Sequence, residues 1–345
     1  MKAKECNHNR LGTWCSWGTA LAAAFLAASL LSAPADTTMF SGDATVVRAN
    51  VLGIETVLVS AGPLPGEGGT AEDSLLEASV PGLLSAEVLH AATVAQGHRS
   101  SSEASVAELN LTVLGNTISA GFLMAEATAQ CHGGNATVSG SSQIANLVIN
   151  GQAIAVSGEP NQTIEVGALR VVINEQEAFA DGNFGDITVK ALHVTVANLL
   201  GGAPLADVVI SSAHADILCA GPLPPGKDFV TGGGWITGTP SGAKANFGVA
   251  GGTKPNNALW GHLTYIDHGN GMKVKGTGVT AYAITGPTSR HIEGTCQING
   301  VAGTYQVEVS DNGEPGRHDT FAIQLSNGYT AAGRLGGGNI QLHTP

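Results

Sequence analysis

The sequence predicts an all-β protein, built as two antiparallel β-sandwich-like domains that are joined by a short Pro-rich linker. Glycine is abundant, with 48 among 345 residues, whereas aromatic residues make up 5% and charged residues 12% of the chain. Small and β-branched side chains therefore dominate many short segments. This composition favours twisted sheets with tight turns over a helical bundle, which would need more Leu, Glu and Lys.

Charged and aromatic residues are divided unevenly along the chain, which indicates two domains. Residues 36–220 carry four Lys/Arg against nineteen Asp/Glu, whereas residues 221–345 carry eight against seven and hold all four tyrosines. We therefore place an acidic β domain at 36–219, a linker with consecutive prolines at 220–228 and a C-terminal β-sandwich domain at 229–345. An acidic domain repels nucleic acid, so no DNA or RNA partner is expected.

Residues 1–35 have the pattern of a secretory signal peptide. Basic residues between Lys2 and Arg10 precede an apolar Ala/Leu-rich stretch, and Ala33-Pro34-Ala35 offers the small-x-small pattern of a cleavage site. After residue 35 no apolar run is long enough to span a membrane. We therefore expect a protein that is secreted or associated with the cell surface, in an extracellular or periplasmic setting, with no transmembrane segment after cleavage.

Alternating polar and apolar residues predict the strands of the acidic domain, starting with stretches at 44–51 and 56–59. Residues 61–82 contain Pro, Gly and acidic clusters, which predict an exposed, mobile loop. Asn150-Gly151 between two apolar runs predicts a hairpin, because both residues tolerate the positive φ of a type I′ turn. The other strands are expected at 84–96, 104–114, 117–130, 136–139, 143–149, 152–157, 163–173, 186–198 and 207–218.

The C-terminal domain shows the same alternation, punctuated by glycine-rich turns. Its expected core residues are its large aromatic side chains, namely Trp235, Phe247, Trp260, Tyr305 and Phe321. Its strands are expected at 229–237, 243–249, 258–267, 272–284, 290–298, 303–310, 319–326, 329–335 and 338–343.

Three cysteines remain after signal cleavage, and two of them can pair in an oxidising compartment. We predict a disulfide between Cys131 and Cys219, because both fall in the acidic domain, and we expect Cys296 to stay a buried free thiol. Closing that long loop would stabilise the fold by about 4–5 kcal/mol in the chain-entropy model. The sequence contains no CxxC motif, so zinc or thioredoxin chemistry has no support.

Two segments resemble known sequences. Residues 36–220, which end in Ala213-His214-Ala215-Asp216-Ile217-Leu218-Cys219, resemble the choice-of-anchor P family of exported bacterial proteins. Residues 229–345 resemble the small β domain that often follows it, through FVTGGGWI at 229–236, LWGHL at 259–263, DNGEPG at 311–316 and LGGGNI at 335–340. The resemblance implies export and a β fold but no established activity. Members of the family end in varied anchoring signals, whereas Gly338 to Pro345 shows no sorting motif.

One loop suggests a metal site. Asp311, Asn312, Glu314 and Asp319 carry oxygen atoms that could hold calcium, which makes calcium the one candidate cofactor. The alternative is a structured turn, in which Gly and Pro set the backbone and Asp/Asn cap it; the adjacent Arg317 would also oppose a cation.

Two further groups have competing interpretations. Trp260, Tyr265 and Tyr282 could stack on a sugar ring, although core packing is the alternative for a chain with so few aromatic residues. His262 and His268 lie at even spacing on one predicted strand, and a metal site there competes with polar capping of the hairpin end at 267–271. For the histidines we favour the hairpin end.

Together these features predict an exported, non-enzymatic protein with a structural, adhesive or matrix role at the cell exterior. The first alternative is a carbohydrate-binding module that uses the C-terminal aromatic residues, and the second is a glycan-processing enzyme. The expected partner is a surface glycan or another extracellular protein. An enzyme would show two facing carboxylates or a metal in a pocket, whereas a sugar module would show exposed coplanar aromatic rings.

Overall fold

A computed structural model of the protein describes residues 38–220 and 227–344. The predicted signal peptide at 1–35 and the central part of the predicted linker, 221–226, lie outside the described residues. Within the described ranges every regular element is a β-strand and every strand pairing is antiparallel. The predicted all-β fold class is confirmed.

The strands are long and closely spaced. Those before the linker are β1 (Met39–Val51), β2 (Ile54–Ala61), β3 (Gly69–Val80), β4 (Leu84–Gln96), β5 (Arg99–Val113), β6 (Asn116–His132), β7 (Asn135–Ala145), β8 (Val148–Ile149), β9 (Gln152–Ala153), β10 (Gln162–Val166), β11 (Leu169–Asp181), β12 (Phe184–Val196) and β13 (Ala206–Leu218). Those after it are β14 (Phe229–Ile236), β15 (Ala245–Thr253), β16 (Leu259–Asp267), β17 (Met272–Ile284), β18 (Ser289–Ile298), β19 (Val301–Ser310), β20 (Thr320–Leu325), β21 (Thr330–Arg334) and β22 (Gly337–His343).

Strands β1 to β13 form two sheets that face each other. The first sheet has the order β10-β11-β12-β13-β1-β2, and the second has the order β3-β4-β5-β6-β8-β9 with β7 also paired to β6. Alternate Ala, Val, Leu and Ile side chains of both sheets form one continuous buried cluster. A hydrogen bond also crosses between the layers, since the Ser102 hydroxyl donates to the His214 carbonyl oxygen at 2.6 Å. This part of the chain is an antiparallel β-sandwich.

The predicted disulfide between Cys131 and Cys219 is confirmed. Cys131 lies at the end of β6 in the second sheet, and Cys219 directly follows β13 in the first sheet. Both residues are buried. The bond therefore ties the two layers together at one end of the sandwich, and Cys296 is a buried free cysteine of the described residues, as predicted.

Strands β14 to β22 form a single third sheet, in the order β21-β20-β19-β18-β17-β16-β15-β14-β22. This sheet curls back on itself: the Ala332 amide on β21 donates to the carbonyl oxygen of Gly238, two residues after β14, at 3.0 Å. A Cβ at Gly238 would lie 1.7 Å from the Ala332 oxygen, so only glycine permits this approach. Phe247 and Phe321 stack inside the curl, with ring centroids 4.0 Å apart. One curled sheet thus encloses the C-terminal core.

The third sheet packs against the outer side of the second sheet. Two apolar clusters cross this interface, one joining Phe122 to Ile266 and the other joining Val94 to Phe229 and Trp260. Residues 38–220 and 227–344 therefore form one packed unit. The second sheet is covered on both sides, which explains why β4 is buried along most of its length.

The structure differs from the sequence prediction at residues 61–82. Instead of a loop throughout, this region contains β3, which forms the edge of the second sheet and pairs with β4 from Gly69 to Val80. Most of its side chains are exposed or half-buried. A polar edge strand lacks the apolar alternation that identifies a strand in a sequence, and its charges discourage pairing with another chain.

Candidate functional site

The three aromatic residues of the predicted sugar-stacking platform do not form one. Trp260 is 6% exposed and packs on Phe229 in the interface between the second and third sheets. Tyr265 is fully buried in the core of the third sheet. Tyr282 is half-buried, and its hydroxyl donates to Asp228. Stacking on a sugar requires an open ring face, so the packing alternative is correct for Trp260 and Tyr265.

The predicted calcium loop is a turn that is capped by its own side chains. Asp319 accepts hydrogen bonds from two backbone amides at 2.8 and 2.9 Å, and Asp311 likewise accepts from two backbone amides. The Asn312 side chain donates to a backbone carbonyl. Glu314 is engaged elsewhere, because it accepts from Asn339 Nδ2 at 2.8 Å. Calcium binding here stays a prediction, and this geometry follows the turn alternative.

A different group brings metal-ligating side chains together. Among the described residues, Asp186, His214 and Asp216 on the outer side of the first sheet offer one ligand atom each within 4.8 Å of one another. His214 Nδ1 lies 3.2 Å from Asp43 Oδ1, and Nε2 lies 3.2 Å from Asp186 Oδ2. Two carboxylates and an imidazole form a donor set that zinc accepts. A protonated histidine held between two carboxylates explains the same contacts.

The charge of His214 gives a direct test of that second explanation. The hydrogen bond with Asp43, together with the one with Asp186, raises the pKa of His214 to about 9. The resulting stabilisation is present below pH 6.5 and is lost as the pH rises through 9. An NMR titration should show this raised pKa, and Asp43→Asn should lower it towards 6.5. A His214 that titrates near 6.5 in the unmodified protein would contradict the pairing.

A chain of four polar side chains, three of them buried, crosses the interface between the second and third sheets. Glu72 Oε2 lies 3.2 Å from His262 Nδ1, and His262 Nε2 lies 2.5 Å from His90 Nδ1. His90 Nε2 then lies 3.2 Å from Glu103 Oε1. Gly248 on β15 makes room for this contact, because a Cβ there would lie 2.9 Å from the Cβ of His90. We call Glu72, His262, His90 and Glu103 the histidine chain.

Proton positions along the histidine chain follow from its donors and acceptors. Burial lowers the pKa of His262, and the neighbouring His90 lowers it further, so His262 is neutral near pH 7. The Nδ1–H of His262 donates to Glu72. The Nε2 of His262 must therefore be an acceptor, and it accepts a hydrogen bond from the Nδ1–H of His90. The contact between His90 Nε2 and Glu103 Oε1 is favourable only when one proton lies between the two side chains.

Beside Glu103 a cleft of about 440 Å³ opens between the second and third sheets. Glu103 on β5, Glu126 on β6 and Ser141 on β7 are direct register partners, so they form one row across the second sheet. Ala125 and Ala127 point into the sandwich core, and the alternation of a strand therefore turns Glu126 towards the third sheet. Hydroxyl and amide side chains and two carboxylates line this cleft, which we call the Glu126 cleft: Glu126, Thr128, Ser139, Ser141, Ser142, Gln143, Glu314 and Gln341.

Two carboxylates share one amide donor in the Glu126 cleft. Asn339 Nδ2 lies 2.8 Å from Glu314 Oε1 and 3.3 Å from Glu126 Oε1, and the Ser141 hydroxyl donates to Glu126 Oε2 at 3.0 Å. Burial, with Glu103 and Glu314 nearby, raises the pKa of Glu126 to about 8. Partial burial also raises the pKa of Glu314. At neutral pH Glu126 is therefore a protonated acid that can donate a hydrogen bond into the cleft.

Sequence reasoning missed these residues for an identifiable reason. Glu103, Glu126 and His90 occupy positions that a two-layer sandwich would leave in solvent, and only the covering third sheet buries them. A signal was present in the chain: β5 begins RSSSEAS, in which small side chains outnumber the two charged ones, Arg99 and Glu103. Long runs of small or apolar residues indicate a strand that is covered on both faces.

Comparisons with known proteins add little to this geometry. No protein-family model matches the chain, and no curated protein matches it either. One solved structure, a Nitrosomonas europaea protein described as "putative AttH", aligns over 88% of this chain and 92% of its own, at 6% identity and a TM-score of 0.21. At that TM-score the similarity carries no argument about fold or function.

Helices that could cross a membrane are not found among the described residues.

Proposed function

We propose that this is an exported, non-enzymatic adhesion or matrix protein that binds a hydroxyl-rich polymer, a surface glycan, in the Glu126 cleft. The observation that carries the proposal is the cleft lining, in which protonated Glu126 lies beside Glu314 among serine, threonine and glutamine side chains. Such a lining offers donors and acceptors at close spacing, as sugar hydroxyl groups require. The proposal replaces aromatic stacking with hydrogen bonding as the means of recognition.

Two other observations support export. The Cys131–Cys219 disulfide is the kind of bond that persists in oxidising compartments. The signal-peptide pattern at 1–35 and the resemblance to choice-of-anchor P proteins point the same way. We therefore infer a working location outside the cytoplasm, secreted or at the cell surface.

Glycoside hydrolysis is the second candidate function, and the carboxylate pair favours it. Glu126 and Glu314 are close enough to share one donor, and Glu126 carries the raised pKa of a general acid. Retaining glycosidases hold two carboxyl groups about 5–5.5 Å apart, one protonated and one ionised. In this scheme Glu126 would protonate the leaving oxygen and Glu314 would act as the nucleophile.

Binding to a polysaccharide panel, followed by calorimetry on the best ligand, tests the proposal. Ser141→Ala removes one hydroxyl from the cleft and should weaken binding by roughly tenfold. Ser60→Ala on β2 removes an exposed hydroxyl of the first sheet and should leave binding unchanged. Glutamine at position 126 keeps a donor, so Glu126→Gln should retain binding.

Three outcomes separate the candidates. Binding that Ser141→Ala weakens, with no release of reducing ends, supports adhesion. Release of reducing ends that Glu126→Gln abolishes, with binding retained, supports the hydrolase instead. Binding that is the same in the wild-type protein and in both cleft variants would place the ligand elsewhere and refute the Glu126 cleft as the site.

A further inference from the structure

One end of the sandwich presents six turns that contain no charged residue. Strands β6 and β13 both run towards the disulfide, so their first residues, Asn116 and Ala206, lie at the opposite end. Six hairpins turn at that opposite end, and we call their turns together the apolar end. They comprise residues 52–53, 81–83, 114–115, 150–151, 167–168 and 197–205.

Backbone hydrogen bonds hold neighbouring turns of the apolar end together. The Leu52 amide donates to the Leu205 carbonyl oxygen at 2.9 Å, and the Ala197 amide donates to the Ala168 carbonyl oxygen at 2.9 Å. The absence of charge is not a property of the whole domain, since residues 36–220 carry nineteen Asp/Glu. The first-sheet turns at 52–53, 167–168 and 197–205 are therefore joined into one uncharged group in an otherwise acidic part of the chain.

Large apolar side chains protrude from this surface. Leu199 and Leu200, in the longest of the six turns, are 83% and 99% exposed. Five more exposed apolar side chains lie in or beside the turns, namely Leu52, Ile54, Leu114, Val166 and Leu205. Apolar side chains gathered in this way, rather than scattered singly, mark an interaction surface.

We propose that the apolar end inserts into the outer part of a lipid bilayer and holds the protein on a membrane surface. The exposure of Leu200 favours lipid over a protein as the binding partner. A side chain that is 99% exposed projects from the surface, and a bilayer can pack around a projecting side chain of any shape. Two copies that met at such tips would bury little area, whereas stable protein interfaces bury about 1,200–2,000 Å². The inference is independent of the Glu126 cleft.

The flanking charges specify the kind of lipid. Arg48 and Arg170 lie within four residues of the apolar end, together with five carboxylates, which gives an acidic rim: Glu55, Glu77, Glu87, Glu165 and Asp207. Anionic headgroups attract clusters of Lys and Arg, and the two arginines of this rim do not form such a cluster. Insertion should therefore depend on apolar contact with acyl chains and gain nothing from anionic lipid.

Co-sedimentation with phosphatidylcholine vesicles tests the proposal on the full chain. The wild-type protein should sediment with the vesicles, and Leu199→Ser/Leu200→Ser should lower the partition coefficient by about tenfold or more. The matched control is Ile284→Ser/Val301→Ser, which changes two exposed apolar residues of the third sheet and should sediment like wild type. Circular dichroism spectra that match wild type would show that both variants fold.

Each further outcome is decisive. Binding that adding phosphatidylglycerol leaves unchanged supports the proposal, whereas binding that requires phosphatidylglycerol overturns it. Absence of sedimentation, or equal sedimentation of the Leu199/Leu200 variant and wild type, also overturns it. If ultracentrifugation without lipid shows a dimer that the same variant dissociates, the apolar end is an interface between two copies instead.

Discussion

Removing the Cys131–Cys219 disulfide is expected to lower the free energy of unfolding by about 4–5 kcal/mol. The bond closes a sequence separation of 88 residues and joins the second sheet to the first. Without it the unfolded chain regains the freedom of a long loop, while the folded sandwich loses the only covalent bond between side chains of its two layers among the described residues. This is the largest single stabilising contribution that we assign to the acidic part of the chain.

Chemical denaturation of Cys131→Ala/Cys219→Ala measures this effect. The control is Cys296→Ala, which removes a buried thiol of similar size from the third sheet without breaking a bond. We expect the double variant to lose several times as much stability as the control. A double variant that unfolds at the same denaturant concentration as Cys296→Ala would show that the disulfide adds nothing beyond packing.

Replacing Glu126 with glutamine is expected to stabilise the protein at alkaline pH and to change little in acid. The folded state raises the pKa of Glu126 to about 8, above the usual value of 4.5. Between these values the folded state holds a proton that the unfolded state releases, so stability falls as the pH rises from 4.5 through 8. Glutamine imitates the protonated acid and cannot ionise. The difference above pH 8 should reach a few kcal/mol, which is roughly 5 °C or more in melting temperature.

Melting temperatures of the wild-type protein and Glu126→Gln between pH 4 and pH 10 measure this difference. Other titrating groups, such as His262 in the histidine chain, contribute equally to the melting temperatures of both proteins, so their contributions cancel in the difference. Glu55→Gln is the control, because Glu55 is exposed on β2 and its replacement makes the same chemical change away from the Glu126 cleft. Parallel curves for wild type and Glu126→Gln would show that Glu126 ionises normally and would remove the protonated acid from the cleft.

The sandwich was accessible to sequence reasoning because its evidence is local. Period-two alternation identified most of its strands. The Asn150-Gly151 turn is confirmed, with φ of 47° and 78° between β8 and β9. The disulfide followed from the position of two cysteines in one compositional region. Strand β3 was missed because an edge strand that faces water has the composition of a loop.

The candidate site was not accessible in the same way, because it depends on a contact between distant segments. Glu126 and Asn339 are 213 residues apart, and His90 and His262 are 172 apart. Each of these residues alternates with apolar neighbours as a solvent-facing residue would. The small residues that open β5 are a local sign that this strand is covered, but they do not identify the third sheet as the cover, so the raised pKa of Glu126 follows only from the packed structure.

The curl of the third sheet could not be predicted from the sequence pattern either. Its strands were predicted at nearly the right positions, but alternation does not reveal whether one sheet curls or two sheets stack. Gly238 decides this locally, because it alone permits the approach of β21 to the segment that follows β14. That closure buries Tyr265 inside the curl, whereas packing against the second sheet buries Trp260, so neither ring offers an open face to a ligand.

Hydrogen–deuterium exchange with and without the best polysaccharide from the panel tests the central claim most directly, because it reports where the ligand lies. The account predicts slower exchange in residues 139–143 and 314–317, which border the Glu126 cleft, and no change at 197–205. Protection that is confined to any other surface, with residues 139–143 and 314–317 unaffected at saturating ligand, would contradict the account.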